Sequence, residues 1–293
     1  MRYVRAAPRS LSERSESKRA EPADGHEFWG IVDGDVVIAI SSAPWLAYER
    51  GAQHPLSSVV LLPPAVPGTF YAAGFNYKAH NRHHEELGYD PVKVGPHPEV
   101  GYRAQSALVG HGAAIVKPAD VEGRFETEAE VVAVIGRTLR HATRDEAKAA
   151  VFGWTIGNDV SAREWQHADR TFWRAKNADT FKPMGPWIET DVDPLQSITT
   201  VRRNGVVDAS FETGDMIFDP YDFLVEMTKY ITVHPGDVLW MGADGNTPMD
   251  VGDVIDIEIS GIGTLTNTVV AEGVRIDTSV GEAAGTDREG VPA

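Results

Sequence analysis

The stretch FETEAEVVAVIG, residues 125–136, sets three glutamates two apart in front of an unbroken apolar run. In an extended chain alternate side chains share a face, and i to i+2 spans roughly 7 Å. Glu128 and Glu130 therefore project together. Val131 to Ile135 is apolar on both faces, so Glu130 stands at the mouth of a buried segment. A carboxylate there is costly unless it is paired or coordinates a metal. Two of them side by side repel unless a cation or a proton lies between. The alternative is a solvated strand face.

A third oxygen ligand has to come from elsewhere. GWTIGNDVSAREW, residues 153–165, offers Asp159 at the end of an apolar strand and just before a helix. On spacing alone Asp159 reads as a helix N-cap ahead of a ligand.

The surroundings are rich in strands. AAIVKP, FGWTIGND, ITTVRRNGVVDASF, DVLWMG, DVIDIEIS and GTLTNTVVA carry β-branched residues bounded by Gly, Pro and Asp. FWGIVDGDVVIAI reads as two strands joined at Asp33-Gly34, and Asn204-Gly205 is a strong two-residue hairpin turn. Helices are fewer: RDEAKAAV, SAREWQHADR and DPYDFLVEMTKYI. Strand runs with occasional helices predict an α+β domain that is mostly β. Residues 1–26 are rich in Arg, Ser and Glu with almost no apolar periodicity, so disorder is expected there and again over 276–293. A small β unit is expected over 27–68, joined through Pro63, Pro64 and Pro67 to a main domain over 69–275.

Composition narrows the function. A formal charge of −16 disfavours a nucleic-acid surface. The chain has no cysteine, which removes disulfides, thiolate catalysis and zinc-thiolate sites. No run approaches the ~18 apolar residues of a membrane span, and the N-terminus lacks a signal peptide's apolar core. A cytoplasmic protein without membrane or nucleic-acid partners is expected.

With GFNYKAH, SALVGHG, RAKNADTFKPMGPWIET and HPGDVLWMG added, these segments resemble the fumarylacetoacetate hydrolase family from about Phe70 to Glu272. The resemblance implies a β-roll of mixed sheets with a few short helices, a homodimer, and a divalent metal in each active site. It puts the metal ligands on Glu128, Glu130 and Asp159 and leaves Glu126 without a counterpart, expected to be solvated. Three carboxylates suit Mg²⁺, with Mn²⁺ or Ca²⁺ as alternatives. It also implies an active-site ammonium at Lys176, a substrate-binding amide at Gln166 and a catalytic histidine at His80.

Departures from the family pattern bear on the chemistry. His83 stands where relatives have the glutamate that pairs with the histidine, and Glu85 and Glu86 follow. On a helix over 77–87, His80 faces His83 and His84, so a dyad with Glu85 or Glu86 needs an irregular lid. Tyr102 and Arg103 replace a common lysine before SAL. Arg103 could clamp a substrate carboxylate bidentately, or form a surface salt bridge. Ala243 stands where a threonine is common, with Thr247 a later candidate for substrate binding. The resemblance implies metal-dependent hydrolysis of a C–C bond in a 2,4-dioxo acid or β-diketone. The alternatives on the same site are decarboxylation, hydration or tautomerisation of a 2-oxo acid, and a metal-binding homologue without catalysis.

Overall fold

The computed structural model describes residues 1–9, 27–80 and 93–273. They are mostly strand, in three sheets with a few short helices. The largest sheet runs Arg50–Pro55, Val36–Ile40, Phe28–Asp33, Arg2–Pro8, Lys182–Glu189, Val151–Asn158, Ala129–Ile135, Val238–Trp240, Phe70–Ala73 and Val100–Tyr102. It is mixed: Val238–Trp240 lies parallel to Phe70–Ala73, and its other neighbour, Ala129–Ile135, is antiparallel. A five-stranded sheet runs Val206–Glu212, Ile198–Arg203, Val254–Ile259, Gly263–Ala271 and Ala114–Lys117. The third holds three short strands, Ser161–Ala162, Phe125–Thr127 and Thr247–Pro248.

Local chemistry accounts for several elements. The helix Pro220–Thr228 starts at Asp219, whose carboxylate accepts from the Tyr221 and Asp222 amides. Thr143 and Glu146 form the same reciprocal cap on Arg144–Ala150. Asn204 and Gly205 both take positive φ, 54° and 79°, as a twisted two-residue hairpin requires. The helix expected over SAREWQHADR shrinks to Arg163–Gln166.

One expectation fails at the start of the chain. Residues 1–26 read as disordered, yet Arg2–Pro8 is a strand inside the largest sheet, paired with Phe28–Asp33, Lys182–Glu189 and Val59–Leu62. The small N-terminal unit therefore shares that sheet. The strand is buried on both faces, so it shows no apolar alternation. Tyr3 packs in a cluster with Ile31 and Ile188, while Val4 and Ala6 pack with Val37 and Val59. Its arginines look like a solvated tail in the sequence but are paired, Arg2 with Glu189 at 3.2 Å and Arg5 with Glu27. Residues 10–26 and 274–293 lie outside the described residues. Among the described residues no helix is long and apolar enough to cross a membrane.

Candidate active site

The stretch 125–136 is two strands, not one. Phe125–Thr127 belongs to the three-stranded sheet and Ala129–Ile135 to the largest sheet, with Glu128 between them. Asn158 holds the crossover, its Oδ1 accepting from the Thr127 hydroxyl at 2.6 Å and the Glu128 amide at 3.2 Å. The next residue, Asp159, donates its amide to the Glu128 carbonyl at 2.9 Å. The strand Val151–Asn158 thus delivers Asp159 beside Glu128. Asp159 caps no helix; the N-cap of Arg163–Gln166 is Ala162.

Glu128, Glu130 and Asp159 are all buried, and one carboxylate oxygen from each lies within 4.8 Å of the others. The set is all oxygen and closely spaced, and it fits a hard divalent cation. The three carboxylates are not equivalent. Lys176 Nζ bridges Glu128 Oε2 and Asp159 Oδ2, 2.7 Å from each. Arg163 donates to Glu128 Oε1. Glu130 accepts from the Gly242 amide at 2.6 Å, and no salt bridge reaches it among the described residues. Burial opposes ionisation of Glu128, but Arg163 and Lys176 pull its carboxyl down to about 2. Burial and the neighbouring charges of Asp159 and Glu128 push Glu130 up to about 8. Asp159 overcomes its burial through Arg103, Lys176 and Lys182, which hold it well below the usual carboxylate range.

Two of these basic groups escaped the sequence reading. Lys182 is fully buried at the start of an apolar strand, and its Nζ lies 2.6 Å from Asp159 Oδ1. Burial, only partly offset by Asp159, lowers it to about 8. Arg163 sits on the short helix and joins Glu128, Glu126 and Gln166, with Nη1 3.1 Å from Gln166 Oε1. Glu126 is the clear correction. It is 1% exposed, not solvated, and lies between Arg163 Nε at 2.5 Å and Arg124 Nη2 at 2.6 Å.

His80 lies within electrostatic reach of Glu128, Arg163 and Lys176. Its Nδ1 lies 3.0 Å from the Ala243 carbonyl oxygen. A carbonyl only accepts, so Nδ1 carries the proton and the lone pair stands on Nε2. Burial lowers the imidazole pKa, with the charge of Glu128 opposing, so the ring is neutral near pH 7. The loop that holds it starts at Gly242, with φ +80°, where a Cβ would come 3.1 Å from the Gly74 carbonyl oxygen. Asn76 ties the segment down, donating to the Phe218 and Met241 carbonyls, both at 3.0 Å, and accepting the Phe218 amide.

The other expected residues are distributed unevenly. Arg103 enters the cluster and grips Asp159, with Nε 3.2 Å from Oδ1 and Nη2 3.0 Å from Oδ2. Tyr102 is exposed, its ring 5.6 Å from that of Tyr71. Thr247 pairs with Thr127, and both line a cavity of about 100 Å³ with Ala129 and Phe211, on the strand face opposite Glu126. Glu85 and Glu86, with His83 and His84, lie outside the described residues.

Comparison with known proteins agrees with this fold. The fumarylacetoacetate (FAA) hydrolase C-terminal family model matches residues 69–270, and an Rv2993c-like N-terminal model matches residues 22–64. The chain belongs to the fumarylacetoacetate hydrolase family and is an enzyme of that superfamily. It is 36% identical over 227 residues to protein Rv2993c of Mycobacterium tuberculosis, covering 76% of this chain and 83% of that one. It is 31% identical over 258 residues to oxaloacetate tautomerase YisK of Bacillus subtilis, covering 82% and 84%. The crystal structure of 5-carboxymethyl-2-hydroxymuconate delta-isomerase from Mycobacterium smegmatis superposes with a TM-score of 0.78 at 31% identity, covering 93% of this chain and 100% of that one.

Proposed function

We propose that this enzyme interconverts the keto and enol forms of a 2-oxo dicarboxylic acid. The observation that carries this is the hydrogen bond from His80 Nδ1 to the Ala243 carbonyl. It occupies the nitrogen that a carboxylate would use to support a water-activating histidine. Among the described residues this leaves His80 as a neutral base with its lone pair on Nε2. A single base suffices to move a proton between carbon and oxygen, whereas hydrolysis must also generate a nucleophile. The C–C hydrolase reading therefore ranks second. The relatives at 31% identity named as an oxaloacetate tautomerase and as a delta-isomerase support the same order.

In this scheme His80 Nε2 takes the proton from the carbon next to the 2-oxo group. The C–H electron pair becomes the C–C double bond, and the carbonyl pair moves onto oxygen. The proton then returns to that oxygen, and the reverse sequence runs from enol to keto. Lys176 is placed to neutralise the charge that develops on the oxygen. A divalent cation held by Glu128, Glu130 and Asp159 would supply Lewis-acid stabilisation of the same charge. The charges suit an anionic substrate: Glu126, Glu128, Glu130 and Asp159 face Arg103, Arg124, Arg163, Lys176 and Lys182, and a divalent cation would add two more positive charges for it to meet.

The test is the ultraviolet decay of enol oxaloacetate with Mg²⁺ or Mn²⁺ present, set beside cleavage of an acylpyruvate. Tautomerisation should be accelerated, and His80→Gln should lower it by roughly 10²–10⁴-fold, the range for loss of a general base. Rapid acylpyruvate cleavage with tautomerisation left at its uncatalysed rate would reverse the order of the two readings.

A further inference from the structure

Asp159 holds more donors than a cation ligand can keep. Its Oδ1 meets Lys182 Nζ at 2.6 Å and Arg103 Nε at 3.2 Å. Its Oδ2 accepts from Lys176 Nζ at 2.7 Å and Arg103 Nη2 at 3.0 Å. A carboxylate offers about four lone-pair sites, and these contacts fill them. A cation can take an Asp159 oxygen only when a donor leaves.

The three basic groups differ in how they are held. Lys182 Nζ also serves the Val160 and Phe181 carbonyls, at 3.1 and 2.7 Å, so its departure would leave both without that donor in a dry interior. Lys176 is shared with Glu128, and Asp169 pins its loop by accepting the Trp173, Arg174 and Ala175 amides at 3.0, 2.7 and 2.8 Å. Arg103 follows the short edge strand Val100–Tyr102. Among its described hydrogen bonds, its other acceptor is the Tyr102 carbonyl at 3.2 Å. It also covers both Asp159 oxygens, so its departure frees the most.

We propose that Arg103 is a displaceable counter-ion of Asp159: the cation takes its place, and the freed guanidinium then meets the substrate's carboxylate. This rests on the cation-dependent reading above. It makes binding ordered, with the cation ahead of the acid. It also assigns the departure from lysine a purpose, since a guanidinium can grip either carboxylate bidentately and an ammonium cannot.

The full-length chain and its Arg103→Gln, Arg103→Lys and Lys176→Gln variants are titrated calorimetrically with Mn²⁺, and the Mn²⁺-loaded forms then with oxalate. Arg103→Gln should bind Mn²⁺ about tenfold more tightly and oxalate about tenfold more weakly, the scale of one charge-assisted contact. Arg103→Lys should fall between, and it carries the test if Arg103→Gln does not fold. Loss of the charge alone favours a nearby cation, so Mn²⁺ binding in Arg103→Lys that is no tighter than wild type overturns the proposal. So does tightening confined to Lys176→Gln, which would make Lys176 the displaced group. A wild-type chain that binds no Mn²⁺ removes the cation reading itself. Wild-type binding with no Arg103 effect removes this proposal alone.

Discussion

Replacing Glu126 by Gln tests whether a residue outside the ligand set controls the site. The side chain is 1% exposed and is held by Arg124 and Arg163, and Arg163 also reaches Glu128. Gln keeps the shape and one acceptor but removes a charge, leaving Arg163 to Glu128. Glu126 and Glu128 share the Arg163 guanidinium, which keeps the two carboxylates within roughly 7 Å of each other. At that distance and an effective dielectric near 20, two unit charges interact by about 2 kcal/mol, and a divalent cation feels about twice that. Arg124 is more exposed and can turn toward solvent, which offsets part of the loss. The expected weakening of Mg²⁺ or Mn²⁺ binding is roughly 1.5–3 kcal/mol, or about 10–100-fold in Kd. Stability should also fall by about 2–4 kcal/mol, as for a buried pair that has lost one partner. The assay is calorimetric titration at fixed ionic strength, with circular dichroism to confirm the fold and Glu126→Asp as the charge-restoring control. A folded Glu126→Gln protein with wild-type cation affinity would refute the reasoning.

Three further outcomes follow from the same geometry. Glu130, raised to about 8 in the cation-free site, must give up a proton to bind a cation. Cation Kd should tighten by about tenfold per pH unit below 8 and level off above it, with about one proton released per ion below 8; titrations in buffers of different ionisation enthalpy measure that release, and none at pH 7 would contradict it. For cation-free folding the sign is opposite: the stability from protonated Glu130 is complete below its unfolded value near 4.5 and is lost as pH rises through 8. Gly242→Ala places a Cβ against the Gly74 carbonyl at φ +80° and disturbs both the Glu130 amide contact and the Ala243 carbonyl that orients His80. It should cost about 1–3 kcal/mol in urea unfolding and lower kcat by more than tenfold, whereas an unchanged kcat would detach the loop from catalysis.

The glutamate pair was legible because its signal is local: an i, i+2 pair ahead of an apolar run needs a neutralising partner wherever the strand goes. Asp159 read as a helix cap on spacing alone, and the family resemblance put it in the ligand set. Glu126 was misread because the chain changes sheets at Glu128, which no one-strand pattern reveals. Arg103 lies 56 residues from Asp159 and reaches it only through the topology. Lys182 opens an apolar strand, where a lysine ordinarily marks the solvent end; here the parallel pairing with Leu108–Val109 keeps it covered. Arg2–Pro8 was hidden because burial on both faces erases alternation.

These long-range partners change what the three ligand positions mean. By spacing alone Glu128, Glu130 and Asp159 are equal. In the fold, Glu128 and Asp159 are ionised at neutral pH because cations already sit on them, and each cation is a competitor for an incoming ion. Among the described residues Glu130 has no such salt-bridge partner, and it offsets its burial by holding a proton. An incoming ion therefore meets one ligand, Asp159, that must shed a positive side chain and another, Glu130, that must shed a proton. That makes binding sensitive both to pH and to the arginines. Loss of a competing arginine and loss of the carboxylate that restrains one should then move affinity in opposite directions: tighter for Arg103→Gln, weaker for Glu126→Gln. A three-carboxylate cage beside a fixed Arg103 also tightens when that charge is lost, but it is unmoved by Arg103→Lys, so the charge-conserving variant separates the two pictures.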